Sequence, residues 1–155
     1  VLWLPTVETM YPFGSDLAAR IRVPGVSGVL EGAHRPGHFD GVCTVVARLF
    51  NQVQPDVAAF GKKDYQQLAV IQQMVRDLAF PIQILGGSIV RESDGLAMSS
   101  RNQYLGEAER SGYVVDYAAV RRPDLSEPAE AEQGDKVALI AARLGKTRLI
   151  DNLEF

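Results

Sequence analysis

The residues of this chain best equipped for chemistry sit in two short polar segments: Gly61-Lys62-Lys63-Asp64 with Gln67, and Met98-Ser99-Ser100-Arg101. The first follows the apolar run Val57-Ala58-Ala59-Phe60 and opens an amphipathic stretch, so it reads as a strand-to-helix turn. A lysine ammonium beside free backbone N–H groups at a helix start suits phosphate oxygens, because the donors and the helix dipole favour the same charge. The second segment is a turn with two hydroxyls and a guanidinium, whose planar fork pairs two oxygens at once. Together they point to a polyphosphate ligand. Lys63 is the first candidate, with Lys62 its solvated neighbour. Gly61 is expected at a turn with positive φ, and its missing side chain would let a ligand come close to the backbone.

Some of these residues have a competing structural role. Asp64 and Gln67 stand at the spacing of a capping box, in which Asp64 accepts the N3 amide and Gln67 reaches back. Spacing alone favours that reading, and ligand binding stays open beside it. Arg35 and His38, in Arg35-Pro36-Gly37-His38-Phe39, precede a long apolar-periodic stretch and could cap a helix or meet a ligand. His34 reads as a surface residue. The single Cys43 has no partner for an intrachain disulfide and falls in an apolar helical pattern, which predicts a buried, inert thiol. No Cys, His and Asp set has the spacing of a protein-built metal site, so none is expected.

The elements that must position these groups follow from periodicity. Val42, Val45, Val46, Leu49, Phe50 and Val53 form one apolar stripe, a helix that starts after Gly41 and stops before Pro55. Val57 to Phe60 suits a strand buried on both faces. A second helix is expected from Asp64, burying Leu68, Ile71, Val75 and Leu78, followed by a strand at Pro81 to Leu85. Strand, turn, helix and strand in this order form a βαβ unit of a parallel sheet, where ligands bind beyond the carboxyl ends of the strands. Beyond Gly86-Gly87 the pattern changes. A short strand at Ile89 to Arg91, a turn at Asp94-Gly95 and a polar connection from Ser99 to Leu105 precede three extended candidates. These are Tyr113 to Val120, Lys136 to Leu144 and Arg148 to Leu153, the last two joined as a hairpin at Gly145-Lys146. Pro123 to Gln133 reads as an exposed loop.

The composition bounds the partners. With 46% hydrophobic and 23% charged residues and a net charge of -3, the chain reads as a soluble globular protein without the basic face that nucleic-acid binding requires. No apolar run has membrane-spanning length. No nucleic-acid and no membrane partner is expected, and the cytoplasm is the expected location.

Phe60-Gly61-Lys62-Lys63-Asp64-Tyr65-Gln66-Gln67-Leu68 and Asp94-Gly95-Leu96-Ala97-Met98-Ser99-Ser100-Arg101-Asn102 resemble motifs of the pantothenate synthetase (pantoate–β-alanine ligase) family. The resemblance runs from Val1 to Arg110 and returns near the C-terminus. It implies an α/β chain: the C-terminal part of a Rossmann-like, parallel-sheet nucleotidyltransferase domain in residues 1–87, then a small α+β domain with an antiparallel sheet in residues 88–155. It also implies an ATP-dependent condensation of pantoate with β-alanine through pantoyl adenylate, releasing AMP and pyrophosphate. ATP is then a co-substrate, Mg²⁺ rides mainly on its phosphates, and a homodimer is expected.

Carried over position by position, the family's Lys falls on Lys63 and its Met-Ser-Ser-Arg phosphate loop on Met98, Ser99, Ser100 and Arg101. Lys63, Ser99, Ser100 and Arg101 take the catalytic role. Gly61, Lys62, Asp64, Val90 and Met98 join them around the nucleotide, with Asp64 toward the ribose and the Val90 backbone toward the adenine. Gln67, and with it Arg35 and His38, is implied for pantoate. The family's His-x-Gly-His signature does not occur in these 155 residues, and Val1-Leu2-Trp3-Leu4-Pro5 reads as a strand already under way. The first part of the nucleotide domain is therefore expected to be missing, as is a helical segment between Arg110 and Ser111. Two further readings stay open: another adenylate-forming nucleotidyltransferase, or a non-catalytic binding or dimerisation fragment.

Overall fold

Helical spacing of apolar residues produces the longest helix, α3 (His38–Val53), which follows two single-turn helices, α1 (Val7–Met10) and α2 (Glu31–His34). The structure is a computed structural model and describes residues 2–104 and 112–155. The helix α3 begins at His38, four residues earlier than the stripe from Val42 predicts, because Gly37 takes a left-handed conformation (φ 78°) and turns the chain directly into the helix. It ends as expected before Pro55, with Gln54 left-handed at the C-cap. Its buried face carries Phe39, Cys43, Val46, Ala47 and Phe50. The thiol of Cys43 is fully buried, and desolvation, with Asp40 near by, pushes its pKa up to about 11. Phe50 meets the Phe80 ring edge-on at 5.8 Å.

The expected strand at the chain start does not form. Residues 2–5 find no ladder partner among the described residues, and Thr6 instead caps α1, its Oγ1 accepting the Thr9 N–H at 3.2 Å. The turn-rich stretch that follows is fastened to α3: Thr44 Oγ1 accepts the Ile21 N–H at 2.9 Å, and Arg48 Nε donates to Met10 O at 2.6 Å.

The βαβ unit is present. β1 (Val57–Gly61) leads through a 3₁₀ turn (Lys62–Asp64) into α4 (Tyr65–Asp77) and returns as β2 (Gln83–Gly87), which pairs with β1 in a two-stranded parallel sheet. α4 buries Leu68, Val70, Ile71, Met74 and Val75. Leu78 lies past the last helical residue and is 50% exposed, so it does not join that core. β1 is not buried on both faces as expected. Ala58 and Phe60 are half-buried while Val57 and Ala59 are exposed, because burial on both faces needs both faces covered.

After β2, the Ile89–Arg91 strand is reduced to a single antiparallel bridge, Arg91 with Ala97, closed by the Asp94-Gly95 turn. Ser100–Tyr104 form a second 3₁₀ turn. β3 (Tyr113–Arg121), β4 (Val137–Leu144) and β5 (Thr147–Glu154) make the expected antiparallel sheet in the order β3-β4-β5, with Gly145 left-handed in the β4–β5 hairpin. A register shift between Val115 and Tyr117 leaves Asp116 bulged out of the ladder, and its carboxylate takes Arg148 at 2.5 Å and Arg143 at 3.3 Å. Leu144 and Leu149 are buried, and Leu96 packs on them. The predicted break between Arg110 and Ser111 lies outside the described residues.

Two compact units result: Val1–Ala58 with Val70–Gln83, and Ala59–Ala69 with Ile84–Phe155. No helix among the described residues is long and apolar enough to cross a membrane.

The Pro123–Gln133 loop is more ordered than its composition suggests. Arg122 grips the Glu132 carboxylate with Nε at 2.7 Å, and Leu125 between them is buried. That bond, with the Ala129 N–H, holds the Glu132 carboxyl down at about 2, against an ordinary 4.5. A depressed carboxyl contributes stability above its unfolded pKa and loses it as pH falls through the folded one. Amide-exchange protection at Leu125, whose N–H donates to Arg122 O, should therefore survive at pH 4 and disappear toward pH 2. Arg122→Gln should move that loss up to the ordinary carboxylate range. In the first core, Ile71→Ala removes a fully buried side chain and should cost about 2–5 kcal/mol in urea denaturation.

Candidate functional site

Lys62, Lys63 and Asp64 form the 3₁₀ turn at the carboxyl end of β1, the edge where open parallel sheets bind ligands. The turn is held from the side by β5. Asn152 is buried, and its Nδ2 donates to two consecutive carbonyls, Lys62 O and Lys63 O, at 2.9 Å each. Two donors on one nitrogen thus fix two successive peptide planes. The Lys62 side chain is committed. Its stem runs past Gly86, where a Cβ would come within 3.2 Å of it, and its Nζ meets Glu154 at 2.6 Å. Lys63, half-buried on the same turn, has no carboxylate partner among the described residues.

Neither Asp64 nor Gln67 completes the capping box that the spacing favours. The chain enters α4 through a 3₁₀ turn, so Asp64 already has helical geometry instead of standing at an N-cap. Gly61 takes that position with no side-chain cap. Asp64 is exposed and Gln67 half-buried. The positive φ expected at Gly61 is also not found: it is extended, with φ -73° and ψ 133°. A Cβ there would meet nothing within 4 Å. The glycine therefore serves no steric need of the fold, and the space beside it is open.

The second segment hangs on Arg91. Its guanidinium pairs both oxygens of Asp151, at 2.7 and 3.1 Å, and donates to Asn152 O at 3.1 Å and Gly95 O at 3.0 Å. Met98 N–H donates to Val90 O at 2.9 Å. Asn102, buried within the 3₁₀ turn, donates from Nδ2 to Ala97 O at 3.1 Å and Glu92 Oε1 at 2.8 Å. Ser99 Oγ accepts the Arg101 N–H at 3.2 Å, which uses a lone pair and leaves its O–H able to donate. Ser100 and Arg101 are exposed, and Arg101 has no carboxylate partner among the described residues. Met98 and Val90 are exposed as well, at 53% and 64%.

Both 3₁₀ turns pack on β5, so that strand is shared by the two phosphate-suited segments. Arg35 and His38 belong to the other compact unit. Arg35 is exposed at the end of α2, and His38 opens α3 with its ring 5.0 Å from that of Phe39. No cluster of His, Cys, Asp and Glu among the described residues could hold a metal ion.

Sequence reasoning missed Asn152, Asp151, Arg91 and Asn102. One signal was available: two polar residues, Asp151-Asn152, of types depleted in strands, stand inside a segment read as a strand.

Comparison with known proteins follows the same lines. The model of the Pantoate-beta-alanine ligase family matches residues 1–115. A curated pantothenate synthetase of Xanthomonas axonopodis pv. citri is 64% identical over 190 residues, covering 99% of this chain and 68% of the relative. One from Xanthomonas campestris pv. campestris is 61% identical over 194 residues, with the same coverage. Both alignments are longer than the chain's 155 residues, so they open gaps within it. Among solved structures, a pantothenate synthetase from Thermus thermophilus superposes with a TM-score of 0.89 at 41% identity, covering 96% of this chain and 67% of that one. A pantoate-beta-alanine ligase from Francisella tularensis, complexed with beta-gamma ATP and beta-alanine, gives 0.77 at 28% identity, covering 94% and 61%.

The open space at Gly61 yields a test that separates fold from ligand. Gly61→Ala places a methyl where the fold tolerates it, and should leave stability unchanged or raised by about 0.4–1 kcal/mol through the unfolded chain. If a ligand occupies that space, titration calorimetry with a nucleoside triphosphate will show the variant weakened at least several-fold.

Proposed function

The chain belongs to the pantoate-beta-alanine ligase family of pantothenate biosynthesis, and we propose that it condenses pantoate with β-alanine at the expense of ATP by way of pantoyl adenylate. The observation that carries this reading is the division among four cations. Lys62 and Arg91 are tied to Glu154 and Asp151, whereas Lys63 and Arg101 have no carboxylate partner among the described residues. The free pair stand on the two turns that β5 supports, together with the hydroxyls of Ser99 and Ser100.

In the first step a pantoate carboxylate oxygen attacks the α-phosphorus of ATP, and the bond to the bridging oxygen breaks to release pyrophosphate. Negative charge accumulates on the departing phosphates. Lys63, Arg101 and the two serine hydroxyls oppose that charge as donors, which is where electrostatic catalysis gains most. In the second step the β-alanine amine attacks the pantoyl carbonyl, expels AMP and loses a proton. Gly61 leaves room for the nucleotide. Asp64 serves the ribose, the Val90 backbone borders the adenine, and Met98 belongs to the phosphate loop. Lys62 contributes its backbone to the turn. Gln67, Arg35 and His38 keep the assignment to pantoate that the motifs imply. Mg²⁺ would ride mainly on the nucleotide phosphates, as the family resemblance implies. A homodimer in the cytoplasm completes the proposal, supported by family membership.

A second reading takes these residues, which span 68% of the relatives' length, as a non-catalytic binding or dimerisation fragment. On that reading it binds nucleotide without turnover. Pyrophosphate release from ATP and pantoate separates the two. With turnover present, Lys63→Ala should lower the rate by about 10²–10³-fold, the cost of one transition-state donor, with the melting temperature kept. A near-wild-type rate in this variant would remove Lys63 from the mechanism.

A further inference from the structure

We propose that Asp151 and Asn152 of β5, acting through Arg91, are positioning residues that set the two phosphate-contacting turns at the spacing a nucleotide triphosphate requires, an inference that rests on the ATP-binding reading above. Neither residue belongs to the motifs that identify the family. Their bonds are distributed between the two turns in a way that sheet packing alone does not call for. On one side, the Asn152 amide nitrogen holds Lys62 O and Lys63 O at 2.9 Å each. On the other, the neighbouring Asp151 carboxylate takes the Arg91 fork at 2.7 and 3.1 Å, and Asn152 lends its own carbonyl to the same guanidinium at 3.1 Å. The Asn152 backbone N–H in turn donates to Asp151 Oδ1 at 2.8 Å, which holds the Asp151 carboxylate against the backbone of its neighbour.

From Arg91 the connection continues along the backbone. The Arg91–Ala97 bridge and the Met98 N–H to Val90 O bond fix where Met98 and Ser99 begin, and Asn102 ties Ala97 O back from beyond Arg101. A chain of hydrogen bonds therefore runs from the Lys63 carbonyl to the Ser99–Arg101 turn through two adjacent residues of one strand. A polyphosphate held at both ends is sensitive to the spacing between its clamps, since donors displaced by a fraction of an ångström lose much of their effect. An asparagine is needed at this place for a chemical reason. An aspartate of the same shape would aim oxygens at two carbonyl oxygens, and an alanine would leave both carbonyls without that donor.

The test is a double-mutant cycle read by ATP affinity in calorimetry, using the purified protein with Asn152→Ala, Lys63→Ala and the pair, each checked by its melting curve. Asn152→Ala is expected to weaken ATP about tenfold, the size of effect of a lost buried donor. In the Lys63→Ala background its further effect should fall below about threefold, because the residue acts through the Lys63 turn. A role in stability alone predicts a melting shift with full, additive losses of affinity or none, and either result overturns the proposal. Should Asn152→Ala fail to fold, Arg91→Lys supplies the measurement. It keeps the charge facing Asp151 but loses the fork, and is expected to weaken ATP several-fold at an unchanged melting temperature. Unaltered affinity in Arg91→Lys sinks the idea while leaving the ATP assignment standing. Absence of ATP binding in the unmutated protein removes both.

Discussion

A single buried amide group organises the part of this protein where chemistry is expected. The Asn152 side chain places two N–H bonds on consecutive carbonyls of a 3₁₀ turn, and those carbonyls belong to the two lysines that follow β1. A 3₁₀ turn is short and makes few, poorly aligned bonds of its own. Without a fixed donor beside it, such a turn would be free to move, and the lysine ammonium with it. The antiparallel sheet that ends the chain supplies that donor. Its position is itself secured by Leu144 and Leu149 packed against Leu96, so the apolar core of the sheet and the polar fastening act on the same hairpin.

Charge is distributed by the same arrangement. Two adjacent lysines look equivalent in a sequence, yet among the described residues only Lys62 meets a carboxylate. Its stem runs over Gly86, where a side chain would obstruct it, and ends on Glu154. That pair is half-exposed and contributes little to stability. Its larger consequence is directional: one ammonium is turned toward β5, and Lys63 keeps its charge for something else. Arg91 and Arg101 divide in the same way, the first bound in a fork by Asp151 and the second left exposed.

Where periodicity speaks, the sequence was a good guide. The helix through Val42 to Val53, the βαβ order, the three strands and the Gly145 hairpin lie close to where spacing puts them, although of the apolar stripe only Val46 and Phe50 are buried and Val53 is exposed. The differences share a cause, which is that local rules assume a standard setting. A capping box presumes a helix that begins at an N-cap, but a 3₁₀ turn at Lys62–Asp64 moves Asp64 inside the helical geometry. Gly61 was expected to need a left-handed backbone and is instead extended, with open space beside it. A short apolar run suggested burial on both faces, although two strands cover each other on one edge and leave a face open.

The candidate site divides along the same line. Residue types and spacing alone determined that Lys63 and Ser99-Ser100-Arg101 suit a polyphosphate and which family the chain resembles, because those properties reside in side-chain chemistry and in short continuous segments. Tertiary structure alone decided which lysine and which arginine meet a carboxylate among the described residues, and that Asp151 and Asn152 support both turns. Those outcomes depend on residues 90 positions apart, such as Asn152 and Lys62, coming within hydrogen-bonding distance. No local pattern encodes such a contact, since it exists only once β5 has folded back beside the end of β1.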